Sequence, residues 1–164
     1  MVLISMKFSS VQSALEEQNF LIVDKDHNRP WGGFFVIAED QAQRFADVYF
    51  DGLDVSNLKI SGRLNPKILI VAPNKMLSWQ YHHRRAEICR TIQGRAGVVR
   101  SNTDYENELD ILNVGATVTL LQGERHRLVG LEDYAVLAEI WQHTEADNPS
   151  DEEDIVRLQD DFGR

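Results

Sequence analysis

The stretch QYHHRRAEICRTIQG, residues 80–94, decides the fold and the candidate site. Gln80 and His82 are two positions apart, so on a β-strand both side chains point to the same face. Glu87 has the opposite parity, and it reaches that face only if the chain bends between residues 83 and 86. We therefore expect a strand, a bend and a second strand here, with an amide, an imidazole and a carboxylate on one side.

Twenty residues separate Gly94 from a second stretch, GATVTLLQGERH at 115–126. Gly94 and Gly123 both permit tight turns at strand ends, and the turn at Gly123 delivers the imidazole of His126. Amide oxygen, imidazole and carboxylate are all suitable ligands for zinc, manganese, iron or a similar ion. The expected ligands of one divalent metal ion are Gln80, His82, Glu87 and His126.

The surrounding segment, residues 67–141, consists of short apolar runs that Gly, Asn and Pro interrupt. Such closely spaced runs predict a β-sandwich or a closed barrel. The runs are PKILIVAP, MLSWQYH, EICRTIQG, AGVVRS, ELDILNVG, ATVTLLQG, RHRLVG and YAVLAEIWQ. Upstream, the spacing of apolar residues predicts helices over 8–19 and 39–51, and residues 28–37 indicate a turn that enters a strand. Residues 52–66 are expected to be mostly loop.

Composition limits the classes of partner. The chain has 164 residues, a formal charge of −9 and 43% hydrophobic residues, which suit one globular domain and disfavour nucleic-acid binding. Cys89 is the one cysteine, so an intrachain disulfide is impossible and a cytoplasmic location is expected. No run approaches the roughly 20 apolar residues that cross a bilayer. The acidic run DEED at 151–154 is expected to be solvated.

The order Gln80-x-His82-x4-Glu87-x6-Gly94, followed by a glycine turn and a histidine, resembles the two-part cupin signature. This resemblance implies a mainly β fold, a double-stranded β-helix or jelly-roll barrel, with short N-terminal helices. Homodimers through strand exchange or sheet edges are common among cupins, so the resemblance leaves a homodimer open, although the sequence itself does not indicate the oligomeric state. A single cupin domain would span residues 1–164. Its parts would be N-terminal helices, a first strand and an insertion over 1–66, the barrel core over 67–141, and an acidic tail over 142–164.

Three segments are similar, more specifically, to the isomerase domain of type II phosphomannose isomerases. They are RPWG at 29–32, QYHHRRAE at 80–87 and EEDIVRLQDDFGR at 152–164. The chain departs from that family at Arg84, where the family has histidine, and at Ile88 and Cys89, where it has His-Trp. Leu121 and Gly130 stand where its second motif has proline and asparagine.

The resemblance implies a metal-dependent aldose–ketose isomerase that interconverts mannose 6-phosphate and fructose 6-phosphate. We expect zinc, with manganese, iron and nickel as alternatives. The residues expected to bind the substrate phosphate are Arg85, Arg84 and Arg164. The candidates for the base that removes the C2 proton are His83, Lys59 and Lys67. Two alternatives stay open: another metal-dependent cupin enzyme, such as an epimerase or a dioxygenase, and a non-catalytic sugar-binding cupin.

Overall fold

A computed structural model of the protein describes residues 2–58 and 63–159. The helices are α1 (Val2–Glu17) and α2 (Ala42–Tyr49), with short 3-10 turns at Glu39–Gln41 and Val55–Asn57. The strands across these residues are β1 (Ile22–Arg29), β2 (Gly32–Ile37), β3 (Lys67–Val71), β4 (Trp79–Tyr81), β5 (Arg85–Gln93), β6 (Ala96–Ser101), β7 (Leu109–Leu112), β8 (Thr117–Leu120), β9 (Arg125–Gly130), β10 (Ala135–His143) and β11 (Val156–Gln159).

The strands form two antiparallel sheets. The larger has the order β1-β2-β3-β10-β5-β8, and the smaller has the order β11-β4-β9-β6-β7. Strands that are distant in sequence are therefore neighbours in space. In the smaller sheet, Gln80 on β4 is paired in register with His126 on β9. This pairing brings the two halves of the sequence pattern together, as the fold prediction requires.

Strand β10 lies at the centre of the larger sheet and is covered on both faces. Val136, Ala138 and Ile140 belong to a core that also contains residues of α1 and α2. Ala135 and Leu137, with the opposite parity, belong to the core between the two sheets. Because both faces are buried, the strand carries a nearly continuous apolar run.

The space between the sheets is apolar at one end and polar at the other. Leu69, Val98 and Leu137 belong to its apolar core cluster. Farther along β10 on the same parity come Glu139 and Trp141, both buried. Trp141 is in register with Glu87 on β5, so these two side chains share the inner face. The candidate site occupies this polar end.

The fold predictions hold for most of the chain. Each of the eight apolar runs between 67 and 141 contains one strand, and the mainly β, two-sheet architecture is confirmed. Gly94 and Gly123 adopt φ values of +70° and +75°, which confirms the expected turns. Helix α1 starts well before the predicted residue 8, because Ile4 continues the apolar spacing of its buried face. None of the described helices is long and apolar enough to cross a bilayer.

Two strands were not predicted. Strand β1 reads IVDKDHNR and has few apolar positions, so only its pairing with β2 reveals it. Strand β11 lies within the segment expected to be an acidic tail, and it pairs with β4. The prediction that the run at 151–154 is fully solvated is wrong for Asp154, which is buried. Its carboxylate accepts backbone hydrogen bonds that the sequence pattern does not show.

Candidate metal centre

Three buried side chains from different strands meet at the polar end of the barrel. His82 follows β4, Glu87 lies on β5 and His126 lies on β9. The Nε2 atoms of His82 and His126 lie 3.0 Å and 3.1 Å from Oε1 of Glu87. The exposed fractions of the three residues are only 2%, 5% and 4% in chain order. One ligand atom from each of the three residues lies within 4.8 Å of the others.

The bend predicted between β4 and β5 is confirmed at residues 83 and 84. The backbone amides of His83 and Arg84 both donate to the carboxylate of Asp154, at 2.9 Å each. This double hydrogen bond holds the bend and lets Glu87 turn towards His82. As a result, the side chain of Glu87 points to the same face as that of His82, although the two residues are an odd number of positions apart.

Backbone carbonyl groups determine which ring nitrogen carries the proton in His82 and in His126. Nδ1 of His82 lies 2.6 Å from the carbonyl oxygen of Asp154, and Nδ1 of His126 lies 3.1 Å from that of Glu124. A carbonyl oxygen can only accept, so each Nδ1 carries a proton. In the neutral rings, both Nε2 lone pairs therefore face the Glu87 carboxylate.

Three acceptor groups that face one another with no proton between them repel each other. A divalent cation placed among them satisfies all three, and two imidazoles with one carboxylate are a suitable donor set for such an ion. The residues present therefore fit a metal ion. The alternative is that both rings carry a second proton, which places two imidazolium charges in a buried site.

Gln80 lies beside this trio with its amide turned the other way. Its Oε1 accepts a hydrogen bond from Oγ of Ser78 at 2.5 Å, while its Nε2 lies 3.5 Å from Nε2 of His82. To act as a ligand through oxygen, the amide has to flip and give up the bond from Ser78. The two amide orientations are related by exchange of oxygen and nitrogen.

The charge state of Glu87 suits a cation. Burial by itself raises the pKa of this carboxyl, but the charge of His82 in its doubly protonated form, hydrogen bonds from both protonated rings and the charge of Arg85 outweigh it and hold the pKa well below its ordinary value. Nε of Arg85 lies 3.6 Å from Oε2 of Glu87. The carboxylate therefore remains ionised at neutral pH.

A second carboxyl group, Glu139, was missed in the sequence. It is paired in register with Cys89 on β5 and with Lys67 on β3. Its carboxylate lies 3.9 Å from Nζ of Lys67 and 3.7 Å from Sγ of Cys89. Burial, assisted by the charge of Glu87, raises the pKa of Glu139 to about 7. The sequence does offer one indication of this group. Glu139 is the only charged residue in the apolar run YAVLAEIWQ, and it alternates in step with the residues that face the barrel interior.

The two described arginines expected to bind phosphate contact the loop that precedes β11. Nη1 of Arg85 donates to Oγ of Ser150 at 2.9 Å and to the carbonyl oxygen of Asp151 at 2.8 Å. Its guanidinium lies 3.9 Å from the centre of the Trp141 ring. Nη1 of Arg84 donates to Asn148 and to the carbonyl of Pro149. Arg164 lies outside the described residues.

The candidate bases lie in different surroundings. His83 is exposed and packs edge-to-face against Tyr81. Lys67 is largely buried between Glu139, Glu152 and the Trp141 ring. Lys59 lies outside the described residues. Of the described candidates, Lys67 alone lies beside a buried carboxyl group of the barrel interior.

A cavity of about 280 Å³ lies next to this polar end. Trp141 lines it from the barrel, and Arg63 and Asn65 line it from the segment that precedes β3. Residues 149–152 complete the wall. The cavity therefore lies between the barrel mouth and the loop that holds Arg84 and Arg85.

Two antiparallel sheets enclosing a histidine–glutamate–histidine cluster define this protein as a cupin. A family model described as mannose-6-phosphate isomerase C-terminal matches residues 38–160, and the chain belongs to that family. None of the curated proteins compared with the sequence matches it.

Solved structures share the fold at low sequence identity. The capsular polysaccharide assembling protein CapF from Staphylococcus aureus is 14% identical with a TM-score of 0.53, over 85% of this chain and 34% of CapF. The chain thus spans about a third of the length of CapF. A sugar phosphate isomerase of the cupin superfamily from Silicibacter pomeroyi is 14% identical over 51% of this chain and 52% of that protein. Its TM-score is 0.44.

Proposed function

We propose that this protein is a metal-dependent aldose–ketose isomerase of a sugar phosphate, interconverting mannose 6-phosphate and fructose 6-phosphate. The proposal depends on two imidazole Nε2 atoms and one carboxylate that converge while both Nδ1 protons are committed to backbone carbonyls. Family membership supplies the sugar chemistry. The ligands are His82, Glu87 and His126, and Gln80 joins them once its amide flips. We propose zinc, with manganese, iron and nickel as alternatives.

The reaction moves one proton from C2 to C1 and a second from the C2 hydroxyl to the C1 oxygen of an open-chain sugar, and it consumes no oxidant or reductant. A divalent ion in this site supplies Lewis-acid polarisation of the sugar's carbonyl and hydroxyl oxygens. Glu87 remains ionised and offsets part of the charge of a dication, so the site would stay net positive with both imidazoles neutral, which suits polarisation of a sugar oxygen. The base that takes the C2 proton has to lie beside the substrate. We place it at Lys67, the described candidate that lies inside the barrel mouth, and its ammonium has to pass a proton to the neighbouring Glu139 before it can accept the one from C2.

The metal site is tested by elemental analysis of three purified proteins: wild type, His126→Ala and His83→Ala. We expect about one ion per chain in the wild type and at least a tenfold loss in His126→Ala, since losing one of few ligands weakens a metal strongly. His83→Ala is the matched control, because this neighbouring histidine is exposed. Metal content in His126→Ala equal to that of the wild type would disprove the ligand set.

The activity is tested with mannose 6-phosphate before and after treatment with a chelator. We expect turnover to disappear on chelation and to return when zinc is added back. Turnover that is unchanged after the metal has been removed contradicts the proposed mechanism. Stoichiometric metal without turnover on any hexose phosphate indicates a non-catalytic sugar-binding cupin.

One observation favours a second candidate function. Arg84 and Arg85 already donate hydrogen bonds to residues 148–151, so a substrate phosphate has to compete for the same donors. This arrangement supports a metal-dependent cupin enzyme, such as an epimerase, that acts on a sugar without phosphate. A hydrogen bond to a charged group contributes about 1.5–3 kcal/mol. A kcat/KM for mannose 6-phosphate less than about tenfold above that for mannose therefore supports this candidate.

A further inference from the structure

We infer that Asp154 is a positioning residue for His82, and that the 148–154 loop holds the candidate metal ligands in a geometry ready for the ion. This inference rests on the proposed metal site and assigns a role to the DEED run, which the proposed function does not use. Asp154 acts through two different groups, its backbone carbonyl and its side-chain carboxylate.

The backbone carbonyl of Asp154 selects the ring tautomer of His82. The distance of 2.6 Å to Nδ1 is short for a hydrogen bond between nitrogen and oxygen. With the proton held at Nδ1, the lone pair of Nε2 is directed at Glu87. A metal-binding histidine commonly donates its second ring nitrogen to a carbonyl or carboxylate, which fixes the ring and its tautomer.

The carboxylate of Asp154 holds the backbone that follows His82. It accepts the amides of His83 and Arg84 at 2.9 Å each, and Oγ of Ser150 donates to it at 2.6 Å. The carboxylate is buried, so losing these bonds would leave two amides without partners. Both ends of the short segment from His82 to Arg84 are thus tied to the same residue.

The 148–154 loop is itself anchored to the barrel near the other candidate ligands. Arg85 donates to Ser150 and to the carbonyl of Asp151, and it also lies beside Glu87. The backbone amide of Ser150 donates to Nδ1 of His143 at 3.0 Å. Directly after the loop, β11 pairs with β4, where Arg157 is in register with Gln80. One segment therefore contacts the surroundings of three candidate ligands.

A purely structural role for Asp154 predicts a different result from a positioning role. A carboxylate that only caps the bend at residues 83–84 lowers stability when removed, but leaves the His82 ring unchanged in molecules that fold. A positioning residue also changes the tautomer of His82 and the affinity for metal. The two roles are separated by measurements on folded protein.

The experiment compares Asp154→Ala and Asp154→Asn with the wild type. Glu153→Ala is the matched control, since this neighbouring side chain is exposed. Long-range nitrogen–proton NMR of the metal-free proteins reports which ring nitrogen of His82 carries the proton. Competition with a chromophoric chelator gives the affinity for Zn²⁺. Circular dichroism selects the variants that fold, and Asp154→Asn keeps the side-chain size in case Asp154→Ala unfolds.

We expect His82 to be protonated at Nδ1 in the wild type and in Glu153→Ala, and to become a mixture of tautomers in the Asp154 variants. Zn²⁺ affinity should fall by about 10–100-fold in Asp154→Ala, because losing the carboxylate detaches residue 154 from the bend and displaces the carbonyl that is the partner of His82. A folded Asp154 variant with the wild-type tautomer and wild-type Zn²⁺ affinity would overturn the inference. If the wild type does not bind Zn²⁺, the proposed function fails, and the tautomer measurement still decides the role of Asp154.

Discussion

Glu139 shows how strongly the barrel interior affects a single group. Its carboxyl lies among Glu87, Cys89 and Lys67, and burial is the largest cause of its raised pKa. An ionised Glu139 is accommodated next to Glu87 only at a cost in free energy, because both carry negative charge. The folded protein therefore binds a proton at Glu139 that the unfolded chain releases near its ordinary pKa of 4.5.

This difference predicts a pH dependence of stability in the metal-free protein. Because the pKa of Glu139 is raised, its contribution is fully present below pH 4.5 and is lost as the pH rises through about 7. At about 1.4 kcal/mol per pH unit, the loss amounts to about 3 kcal/mol. Glu139→Gln should remove this part of the dependence. Denaturant unfolding at several pH values, with chelator present, measures both proteins. Parallel curves for wild type and variant would contradict the raised pKa.

At the scale of single residues, the sequence indicated parity and residue type, but it did not indicate neighbours. The spacing of His82, Glu87 and His126 suggested that they meet, and the structure brings their side chains together. Metal binding by these residues stays a prediction. Glu139 and Asp154 were missed because their surroundings are created by pairing between distant strands. Their own sequence context looks like an apolar run in one case and an acidic run in the other.

Among the turns between strands, Gly94 and Gly123 form a natural matched pair. Both have positive φ, a conformation that costs a residue with a side chain about 1–2 kcal/mol. A Cβ at Gly94 would lie 2.4 Å from the carbonyl oxygen of Tyr134, whereas a Cβ at Gly123 has no neighbouring atom within 4 Å. The turn after β5 therefore has no room for a side chain at Gly94, whereas the turn before β9 has room for one at Gly123.

We predict that Gly94→Ala lowers the free energy of unfolding clearly more than Gly123→Ala. The second variant should lose about 1 kcal/mol from the backbone strain alone. The first should lose about 3 kcal/mol or more, because the backbone of Tyr134 cannot move aside without disturbing β10. Chemical denaturation of both variants provides the comparison. Equal decreases in the free energy of unfolding would show that the backbone of the turn after β5 can shift at little cost.

At the scale of elements, short apolar runs separated by turn residues predicted every strand of the barrel core. Strands β1 and β11 were not predicted, because an edge strand keeps few buried side chains and carries little periodicity. Strand β10 had the strongest signal, since both of its faces are buried. The start of α1 was placed too late, because residues 2–6 (VLISM) are nearly all apolar and therefore show no helical periodicity.

For the whole molecule, the candidate ligands connect the two sheets. His126 lies on β9 of the smaller sheet, His82 directly follows β4 of the same sheet, and Glu87 lies on β5 of the larger sheet. An ion bound at the proposed site would thus join the sheets at the polar end of the barrel. It would stabilise the folded state as a whole, because the unfolded chain does not hold the three ligands together.

We therefore expect added Zn²⁺ to raise the Tm of the wild type and to leave that of His126→Ala almost unchanged. At a free concentration one hundred times the Kd, the gain is about 2.7 kcal/mol. Differential scanning calorimetry with a zinc titration measures the shift, and Mg²⁺ at the same concentration controls for general ionic effects. Equal shifts in both proteins would place the zinc somewhere other than at His126.

The position of the 148–154 loop and β11 along the chain has a consequence for biosynthesis. A ribosome releases both barrel sheets, apart from β11, before it releases the residues that tie down His82. Until residue 154 has been synthesised, no carbonyl is present to accept the Nδ1 proton of His82. On the role inferred for Asp154, the proposed metal site would therefore be complete only after this residue has been added to the barrel core.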